Sequence, residues 1–195
     1  INSYTVTYIA GEHGSIEGSA TQTVSHGSNG TEVTAVPDEG YHFVRWSDDV
    51  TTATRTDENV KGNITVTAEF AINSYTVTFK NWDGSKLKTE VVEHGSAATA
   101  PSEPTREGYH FTGWDVDFSN IISDLTVTAT FAINEYTLTY IAGEHGSISG
   151  DATQTVTRGS NGTEVTAVPD EGYHFVRWSD DVTTATRTDE NVTGN

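Results

Sequence analysis

The chain lacks cysteine and methionine altogether, and it has only 10 lysine and arginine residues against 28 aspartate and glutamate residues. Without cysteine there can be no disulfide bond, thiolate metal site or cysteine nucleophile. The formal net charge of -18 repels nucleic-acid phosphates and anionic lipid headgroups. The composition therefore excludes a disulfide-rich domain and argues against nucleic acid as a partner.

Long apolar runs are also missing. No stretch approaches the ~20 apolar residues that a membrane-spanning helix needs, so we expect no membrane insertion. The chain opens with neither a signal peptide nor a methionine, and we expect it to be a fragment of a longer protein. Hydrophobic residues make up only 34%, but the four Trp, eight Tyr and seven Phe recur at regular places. This pattern predicts folded units with small cores.

Internal repetition is the strongest signal in the sequence. Residues 1–63 align without a gap to residues 133–195, and only seven of those 63 positions differ. A shorter segment between them keeps the same landmarks in the same order. The sequence therefore predicts three tandem domains, at residues 1–71, 72–132 and 133–195.

The third repeat and the two junctions have distinctive features. The third repeat stops at Asn195, which aligns with Asn63, so it lacks a counterpart of residues 64–70 and we predict that its closing strand is missing. Each junction reads Phe-Ala-Ile-Asn, at residues 70–73 and 131–134, with no linker rich in Gly, Pro or Ser. A stiff connection and an elongated array of domains are expected.

Alternation of apolar and polar residues predicts β-strands throughout. Tyr4, Val6 and Tyr8 alternate with threonines, and residues 64–70 and 125–131 repeat the pattern. Glycine-rich turns separate these segments, and no stretch of ten or more residues has helical periodicity. The predicted fold class is mostly β.

The middle repeat contains YTVTFKNWDG, VVEHG, PTREGYHFTGWD and LTVTATF in that order. In this combination it resembles the Listeria-Bacteroides repeat, also described as the internalin-type B-repeat. The flanking repeats, with EGYHFVRWSDD and a longer loop before the last strand, resemble the divergent form of the same repeat. The resemblance implies small β-grasp-like domains, found in tandem on proteins displayed at bacterial surfaces. It carries over no catalytic residue.

Three glutamate–histidine pairs could suggest a metal site. A metal site needs three or four converging ligands, and each pair is followed by glycine with no partner motif nearby. We therefore predict that all three pairs are turn residues. They are Glu12-His13, Glu93-His94 and Glu144-His145.

The motif Gly-Tyr-His-Phe and the tryptophan that follows it recur in every repeat. Alternation points the two aromatic residues inward and the histidine outward, so His42, His110 and His174 are predicted to lie at the surface. The tryptophans invite either a core or a carbohydrate-stacking role, and we predict a core role. They are Trp46, Trp114 and Trp178.

A run of carboxylates near the first tryptophan could hold Ca²⁺, which takes six to eight oxygen ligands. No EF-hand spacing is present, and the middle repeat keeps only Asp115 and Asp117 there, so we expect a solvated acidic loop. The residues are Asp48, Asp49, Asp57, Glu58 and Asn59. Lys61 is Thr193 in the third repeat, which excludes a lysine isopeptide bond common to all repeats.

No nucleophile elbow and no phosphate-binding loop are present, so we predict no enzyme, no cofactor, and no catalytic or metal residue. The sequence and the resemblance favour a non-catalytic structural spacer, or stalk, of a bacterial cell-surface adhesin that projects a binding domain from the cell wall. In the alternative function, the repeats themselves bind a host protein or glycan through multivalent weak contacts. We expect an extracellular monomer whose partners are neighbouring repeats, attached to the wall through parts outside this chain.

Overall fold

The computed structural model describes residues 2–195, and every regular element in that range is a β-strand. The strands are β1 (Ser3–Ala10), β2 (Gly14–Gly18), β3 (Thr21–Ser25), β4 (Val33–Pro37), β5 (Tyr41–Trp46), β6 (Thr54–Arg55), β7 (Ile64–Ile72), β8 (Ser74–Lys80), β9 (Lys86–Glu93), β10 (Tyr109–Trp114), β11 (Leu125–Ile133), β12 (Glu135–Thr139), β13 (Gly146–Ser149), β14 (Thr153–Thr157), β15 (Val165–Pro169) and β16 (Thr186–Arg187). The expected mostly β fold is confirmed. Nowhere in that range is there a helix long and apolar enough to cross a bilayer.

The chain forms two compact units. The first comprises the residues up to Lys80 together with 84–101 and 116–128, and the second comprises residues 81–83, 102–115 and 129–195. The middle repeat contributes residues to both units. The division into three domains remains a prediction.

The first repeat contains two sheets. The larger has the strand order β3-β1-β7-β5, and the smaller has the order β2-β4-β6. Strands β1 and β7 are parallel, with Val6 opposite Ile64 and Ala10 opposite Ala68, while β3 and β5 add antiparallel neighbours on the outside. The first and last strands of the repeat are therefore adjacent at the centre of its sheet.

The core of the first repeat is built from the inward positions of these strands. Val6 and Trp46 are fully buried, as is Ala68, and Tyr8 is 3% exposed. Ala68 lies opposite Trp46 in the β5–β7 ladder, where its small side chain leaves room for the indole. Threonines fill many of the outward positions, which suits a pleated surface half covered by solvent.

One buried polar residue ties a loop to this core. Gln22 is 8% exposed, and its side-chain nitrogen donates to the carbonyl oxygens of Ser19 and Thr31 at 3.1 and 2.9 Å. Its side-chain oxygen accepts from the Thr31 amide at 2.7 Å. Because these groups are paired, burial of the amide does not leave an unsatisfied donor or acceptor. Gln154 makes the same set of contacts in the third repeat.

The middle repeat has one four-stranded sheet, in the order β10-β11-β8-β9. The first half of β11 pairs in parallel with β8, and its second half pairs with the antiparallel β10, which has an irregularity between Phe111 and Gly113. Val77 and Phe79 of β8 are fully buried, and Ile121 is 2% exposed. A parallel pair of first and last strands is thus common to the first and middle repeats.

The third repeat has a sheet of β12 and β14 and a second sheet in the order β13-β15-β16. Residues 173–178 have the same sequence as β5 but form no strand. Among the described residues of this repeat, none occupies the position that β7 has in the first repeat.

Candidate functional site

Each repeat is joined to the next through one residue. Only Asn73 separates β7 from β8, and only Asn134 separates β11 from β12. We call these two asparagines the junction residues. A connection of one residue has a single pair of soft backbone dihedrals, so it offers few alternative directions to the chain.

The first junction residue is held from both sides. The Asn73 amide donates to the carbonyl oxygen of Gly40 at 2.8 Å, and its carbonyl oxygen accepts from the His94 amide at 2.8 Å. Its side-chain oxygen accepts from His42 Nδ1 at 2.8 Å, and its side-chain nitrogen donates to the carbonyl oxygen of Tyr41 at 3.4 Å. Asn73 therefore bonds to a turn of the first repeat and to a turn of the middle repeat.

The second junction residue repeats this arrangement. The Asn134 amide donates to the carbonyl oxygen of Gly108 at 2.9 Å, and its carbonyl oxygen accepts from the Arg158 amide at 2.8 Å. His110 Nδ1 lies 3.2 Å from the Asn134 side-chain oxygen, and Arg158 Nη2 donates to Glu107 Oε1 at 2.8 Å. The same backbone pairing thus recurs at both junctions with different side chains around it.

A side chain of the following repeat packs against a glycine of the preceding one at each junction. His94 lies so close to Gly40 that a Cβ at that glycine would overlap its ring, and Arg158 stands in the same relation to Gly108. Both glycines have positive φ, of 82° and 78°, which is unfavourable for other residues. The positive φ therefore favours glycine at both positions, and the absence of a side chain there lets His94 and Arg158 pack against the backbone.

A second cluster lies inside the first repeat, around Arg55. Its side chain is 8% exposed, and it donates from Nη1 to Asp48 Oδ1 at 2.9 Å and from Nη2 to Asp57 Oδ1 at 2.6 Å. The guanidinium carbon lies 5.3 Å from the Trp46 ring centroid and 5.9 Å from that of Tyr8. The Tyr8 hydroxyl donates to Asp57 Oδ2 at 2.6 Å. We call these five residues the Arg55 cluster.

The Arg55 cluster accounts for part of the predicted acidic loop. The expectation that this loop is solvated is wrong for Asp57, whose side chain is only 13% exposed and is bonded to Arg55 and Tyr8. Asp49 and Glu58 are exposed as expected. The guanidinium of Arg55 offsets only one of the two negative charges of Asp48 and Asp57, so one negative charge of this group is left over.

The contacts within the Arg55 cluster shift the pKa values of its members. Hydrogen bonding from Arg55 lowers the pKa of Asp48, and burial together with the bond to Asp57 raises the pKa of Tyr8. In the third repeat, burial and the hydrogen bond to Asp189 raise the pKa of Tyr140 to about 12. The phenols therefore remain protonated donors throughout the physiological range.

The tryptophan of this cluster has the predicted core role. Trp46 is fully buried, its indole N–H donates to the carbonyl oxygen of Thr52 at 3.0 Å, and the Tyr8 ring packs edge-on at 5.8 Å. Trp114 and Trp178 are half-buried. The core prediction is thus confirmed for Trp46, and the other two side chains are less covered.

Comparison with known families identifies the repeats. The model of the divergent InlB B-repeat domain matches residues 4–74 and 136–195, and the model of the Listeria-Bacteroides repeat domain matches residues 75–131. The chain belongs to the InlB B-repeat family. These B-repeats are of a type carried by bacterial surface proteins.

Three relatives of this B-repeat chain illustrate its context. It is 31% identical over 163 residues to a putative membrane protein of Evansella cellulosilytica, covering 77% of this chain and 24% of that protein. It is 28% identical over 194 residues to a putative Gly-rich membrane protein of the same organism, covering 93% and 22%. It is 46% identical over 87 residues to internalin H of Listeria monocytogenes, covering 43% and 16%. The chain thus spans a quarter or less of each relative's length.

A solved structure is also similar to the B-repeat chain. It comprises domains 3-4 of the Streptococcal High Identity Repeats in Tandem from a cell surface protein. The match has a TM-score of 0.31 at 22% identity, covering 69% of this chain and 99% of that one.

The glutamate–histidine pairs of the B-repeats lie at turns, as predicted, although Glu93 is the last residue of β9. His13 has a φ of 66° and stacks on Tyr41 with ring centroids 4.1 Å apart, and His145 stacks on Tyr173 in the same way. Within residues 2–195, no cluster of three or more His, Asp or Glu side chains could hold a metal ion.

The histidines of the Gly-Tyr-His-Phe motif are exposed in all three B-repeats, as predicted. The hydrogen bonds of His42 and His110 to the junction residues were not predicted, and neither was the packing of His94 against Gly40. An alignment of the three repeats could have indicated the packing of His94 against Gly40. His26, His94 and Arg158 occupy equivalent positions, and this position is one of the few that differ between the two near-identical repeats.

The Arg55 cluster makes stability depend on pH. Because the pKa of Asp48 is lower in the folded state than its unfolded value of ~3.9, its stabilising contribution is present above that value and is lost as pH falls through the folded pKa. Its side chain is 41% exposed, so solvent weakens the interaction. We expect Asp48→Asn to reduce the difference in unfolding free energy between pH 7 and pH 2 by about 1 kcal/mol.

Native-state hydrogen exchange of the β1 amides at both pH values measures this difference. The matched control is Asp49→Asn, because that carboxylate is 82% exposed in its ion pair with Arg45. An equal effect of the two substitutions would contradict a specific role for Asp48.

Proposed function

We propose that this B-repeat chain is a non-catalytic spacer that projects another domain of a cell-surface protein away from the bacterial cell wall. Its location would be extracellular, with attachment through parts of the protein outside this chain. We also infer that each repeat is a β-grasp-like unit, which the central parallel pairs β1–β7 and β8–β11 support.

The observation that carries this proposal is the construction of the junctions. A spacer must transmit its direction from one repeat to the next, and a flexible linker would not do so. At each junction a single asparagine, Asn73 or Asn134, connects the two repeats in place of a longer linker. Each asparagine forms backbone hydrogen bonds to the repeats on both sides. Each such bond contributes about 0.5–1.5 kcal/mol, so bending at a junction has a cost that a free hinge lacks.

The charge of the chain also supports an extended arrangement. The net charge of -18 is spread over all three repeats, and like charges repel over a Debye length of ~8 Å at physiological ionic strength. Repulsion between acidic repeats opposes folding of one repeat back on another. A spacer needs no binding pocket, and its role is compatible with repeats that carry no recognised catalytic motif.

Small-angle X-ray scattering tests the proposal directly. A compact protein of this length has a radius of gyration of ~16 Å, whereas three repeats in a line give ~25 Å. We expect the larger value at physiological salt. A value near ~16 Å would remove the spacer from consideration.

A linker variant is the matched control. Insertion of Gly-Ser-Gly-Ser directly after Asn73 lengthens one junction without changing any residue of the repeats. We expect the scattering of this variant to require a broad distribution of sizes, while the unmodified chain fits a narrow one. Identical distributions would mean that the natural junction is itself a hinge.

One cluster favours the alternative, in which the repeats bind a glycan or host protein. Trp82 is 49% exposed, and the Arg106 guanidinium carbon lies 4.2 Å from its ring centroid and 3.6 Å from that of Tyr109. An exposed aromatic ring held by a cation can stack on a sugar. Saturable binding on a glycan array that is lost in Trp82→Ala would favour this alternative over the spacer.

A further inference from the structure

One loop has the same backbone hydrogen bonds in the first and middle repeats. It comprises residues 27–31 after β3 and residues 95–99 after β9. The amides of Gly27 and Gly95 donate at 2.8 and 2.7 Å to carbonyl oxygens in the segment that precedes the last strand of each repeat. The two loops therefore occupy the same place in their repeats.

In the flanking repeats a neutral side chain holds this loop. Gln22 accepts from the Thr31 amide at 2.7 Å and donates to its carbonyl oxygen at 2.9 Å. Gln154 makes the same two bonds to Thr163, at 2.6 and 3.0 Å. We call each of these pairs an amide clamp. A carboxamide keeps its donor and its acceptor at any pH at which a protein is folded, so an amide clamp does not titrate.

In the middle repeat two charged side chains replace the glutamine. Glu90 has the position in the strand ladder that Gln22 has in the first repeat. Its Oε1 accepts from the Thr99 amide and its Oε2 accepts from Lys88 Nζ at 2.8 Å, while Lys88 Nζ also donates to the Thr99 carbonyl oxygen. We call Lys88, Glu90 and Thr99 the ionic clamp. Its two side chains together make the contacts that one glutamine makes in the amide clamp.

The ionic clamp is partly enclosed by the protein. The side chains of Lys88 and Glu90 are 30% and 23% exposed, and Lys88 Nζ lies 5.9 Å from the ring centroid of Phe79 in the core. Covering a charge is favourable only while its counterion is present. Loss of the negative charge on Glu90 would therefore leave the ammonium group of Lys88 covered and unpaired.

Within residues 2–195, the elements around the ionic clamp supply Lys88 with no second carboxylate partner. The loop 95–99 is uncharged, and the segment 116–119 packs on it through a bond of 2.9 Å from the Ala98 amide. The other ionisable residues of these elements are Tyr75 and Lys80 on β8, Lys86 and Glu93 on β9, and Asp117 in the segment 116–119. The carboxylate of Asp117 is bonded to Ser119 instead.

The state of the ionic clamp depends on pH through Glu90. Hydrogen bonding from Lys88 lowers the pKa of Glu90 below the usual value of ~4.3. Because the pKa is lower in the folded state, the contribution of the ionised form is present above ~4.3 and is lost as pH falls through the folded value. The change therefore lies in the acid range.

We propose that the ionic clamp is an acid-sensitive device, which holds the loop 95–99 only while Glu90 is ionised. Protonation adds an O–H donor next to the ammonium group of Lys88, so a charge-assisted hydrogen bond is replaced by two donors that face each other. The loop is then released from the side chains of β9. The amide clamps at Gln22 and Gln154 remain closed at the same pH.

The loop held by the ionic clamp follows directly on the first junction. His94 precedes it, with its amide bonded to the carbonyl oxygen of Asn73 at 2.8 Å and its ring packed against Gly40. In a spacer of the kind proposed above, acid would therefore weaken the contact between the first and middle repeats. This consequence rests on the proposed function, whereas the ionic clamp itself does not.

Native-state hydrogen exchange of the intact 195-residue chain at pH 5 and pH 2.5 tests the clamp. Both values lie below the range in which histidine usually changes charge, so carboxylates account for any difference. After correction for the intrinsic exchange rates, we expect the protection of the Thr99 amide to fall about tenfold at pH 2.5. Unchanged protection of that amide would overturn the proposal.

The matched control converts the ionic clamp into an amide clamp. Lys88 and Glu90 align with Ala20 and Gln22, so Lys88→Ala combined with Glu90→Gln reproduces the first repeat at these positions. We expect the Thr99 amide of this double variant to lose less than about twofold of its protection between pH 5 and pH 2.5. A tenfold loss in the double variant as well would assign the effect to other carboxylates and would overturn the proposal.

The reverse exchange keeps the test decisive if the double variant does not fold. Ala20→Lys combined with Gln22→Glu builds an ionic clamp in the first repeat. The Thr31 amide is then expected to lose about tenfold more protection in acid than it does in the unmodified chain. An acid response of Thr31 that is the same before and after the exchange would contradict the proposal.

The His94 amide reports on the first junction in the same experiment. We expect its protection to fall about threefold at pH 2.5 in the unmodified chain and to stay constant in the variant with Lys88→Ala and Glu90→Gln. If Thr99 responds and His94 does not, the ionic clamp is supported and its link to the junction is overturned. Small-angle scattering at neutral pH tests the spacer independently of both results.

Discussion

Replacing Trp46 by alanine is expected to destabilise the first repeat by about 3–5 kcal/mol. The side chain is fully buried and packs against the side chains of Tyr8, Phe43 and Arg55. Its removal leaves a cavity that these neighbours cannot fill, and it takes away one face of the buried guanidinium. In a small domain this loss is a large fraction of the total stability.

The matched control for this prediction is Trp178→Ala. That indole keeps the contacts to Tyr140 and Arg187 but is half-buried, so we expect its loss to cost only about 1–2 kcal/mol. A chain of several repeats need not unfold in one step, so native-state hydrogen exchange of β1 and β12 amides is the suitable measurement. Equal costs at the two positions would contradict the difference in burial.

Replacing Arg55 by alanine is expected to cost about 3 kcal/mol. The substitution leaves the Asp57 carboxylate next to Tyr8 with no cation, in a place where its side chain is only 13% exposed. Loss of the partner of a buried charge costs more than the pair itself contributes, because the remaining charge keeps its desolvation penalty. The contact with the Trp46 ring is lost as well.

A double substitution separates these contributions. If the uncompensated carboxylate causes most of the loss, then Arg55→Leu combined with Asp57→Leu should be more stable than Arg55→Leu alone. Hydrogen exchange of β1 and β7 measures both. A double variant less stable than the single one would mean that Asp57 contributes mainly through its hydrogen bond to Tyr8.

The strands and the core tryptophan could be predicted because they leave local patterns in the sequence. Alternation of aromatic and threonine residues predicts β1 and β7, and repetition of the motif around Trp46 predicts a structural role. The Arg55 cluster leaves no such pattern. Tyr8 and Asp57, whose side chains are hydrogen-bonded in this cluster, are 49 residues apart in the sequence, so their contact depends on how the strands are arranged.

The third repeat shows a different limit of prediction from sequence. Residues 41–46 and 173–178 have the same sequence, yet the first segment is β5 and the second forms no strand. The local preference of these residues is identical, so the difference comes from the neighbouring strand that β5 has and residues 173–178 lack. Whether this segment forms a strand depends on pairing with a neighbouring strand, and the sequence of the segment itself does not indicate that pairing.

The central parallel pair has a mechanical consequence. Tension along a tethered chain reaches the first repeat through the start of β1 and the end of β7, which lie at opposite ends of two adjacent parallel strands. Such a load slides one strand along the other, so the backbone hydrogen bonds between positions 6–10 and 64–68 share it and must break together. The middle repeat has the same arrangement in β8 and β11. Each of these repeats would therefore resist stretching, because the hydrogen bonds between its two parallel strands are loaded together in shear. In a hairpin pulled open from its ends, the hydrogen bonds break one at a time.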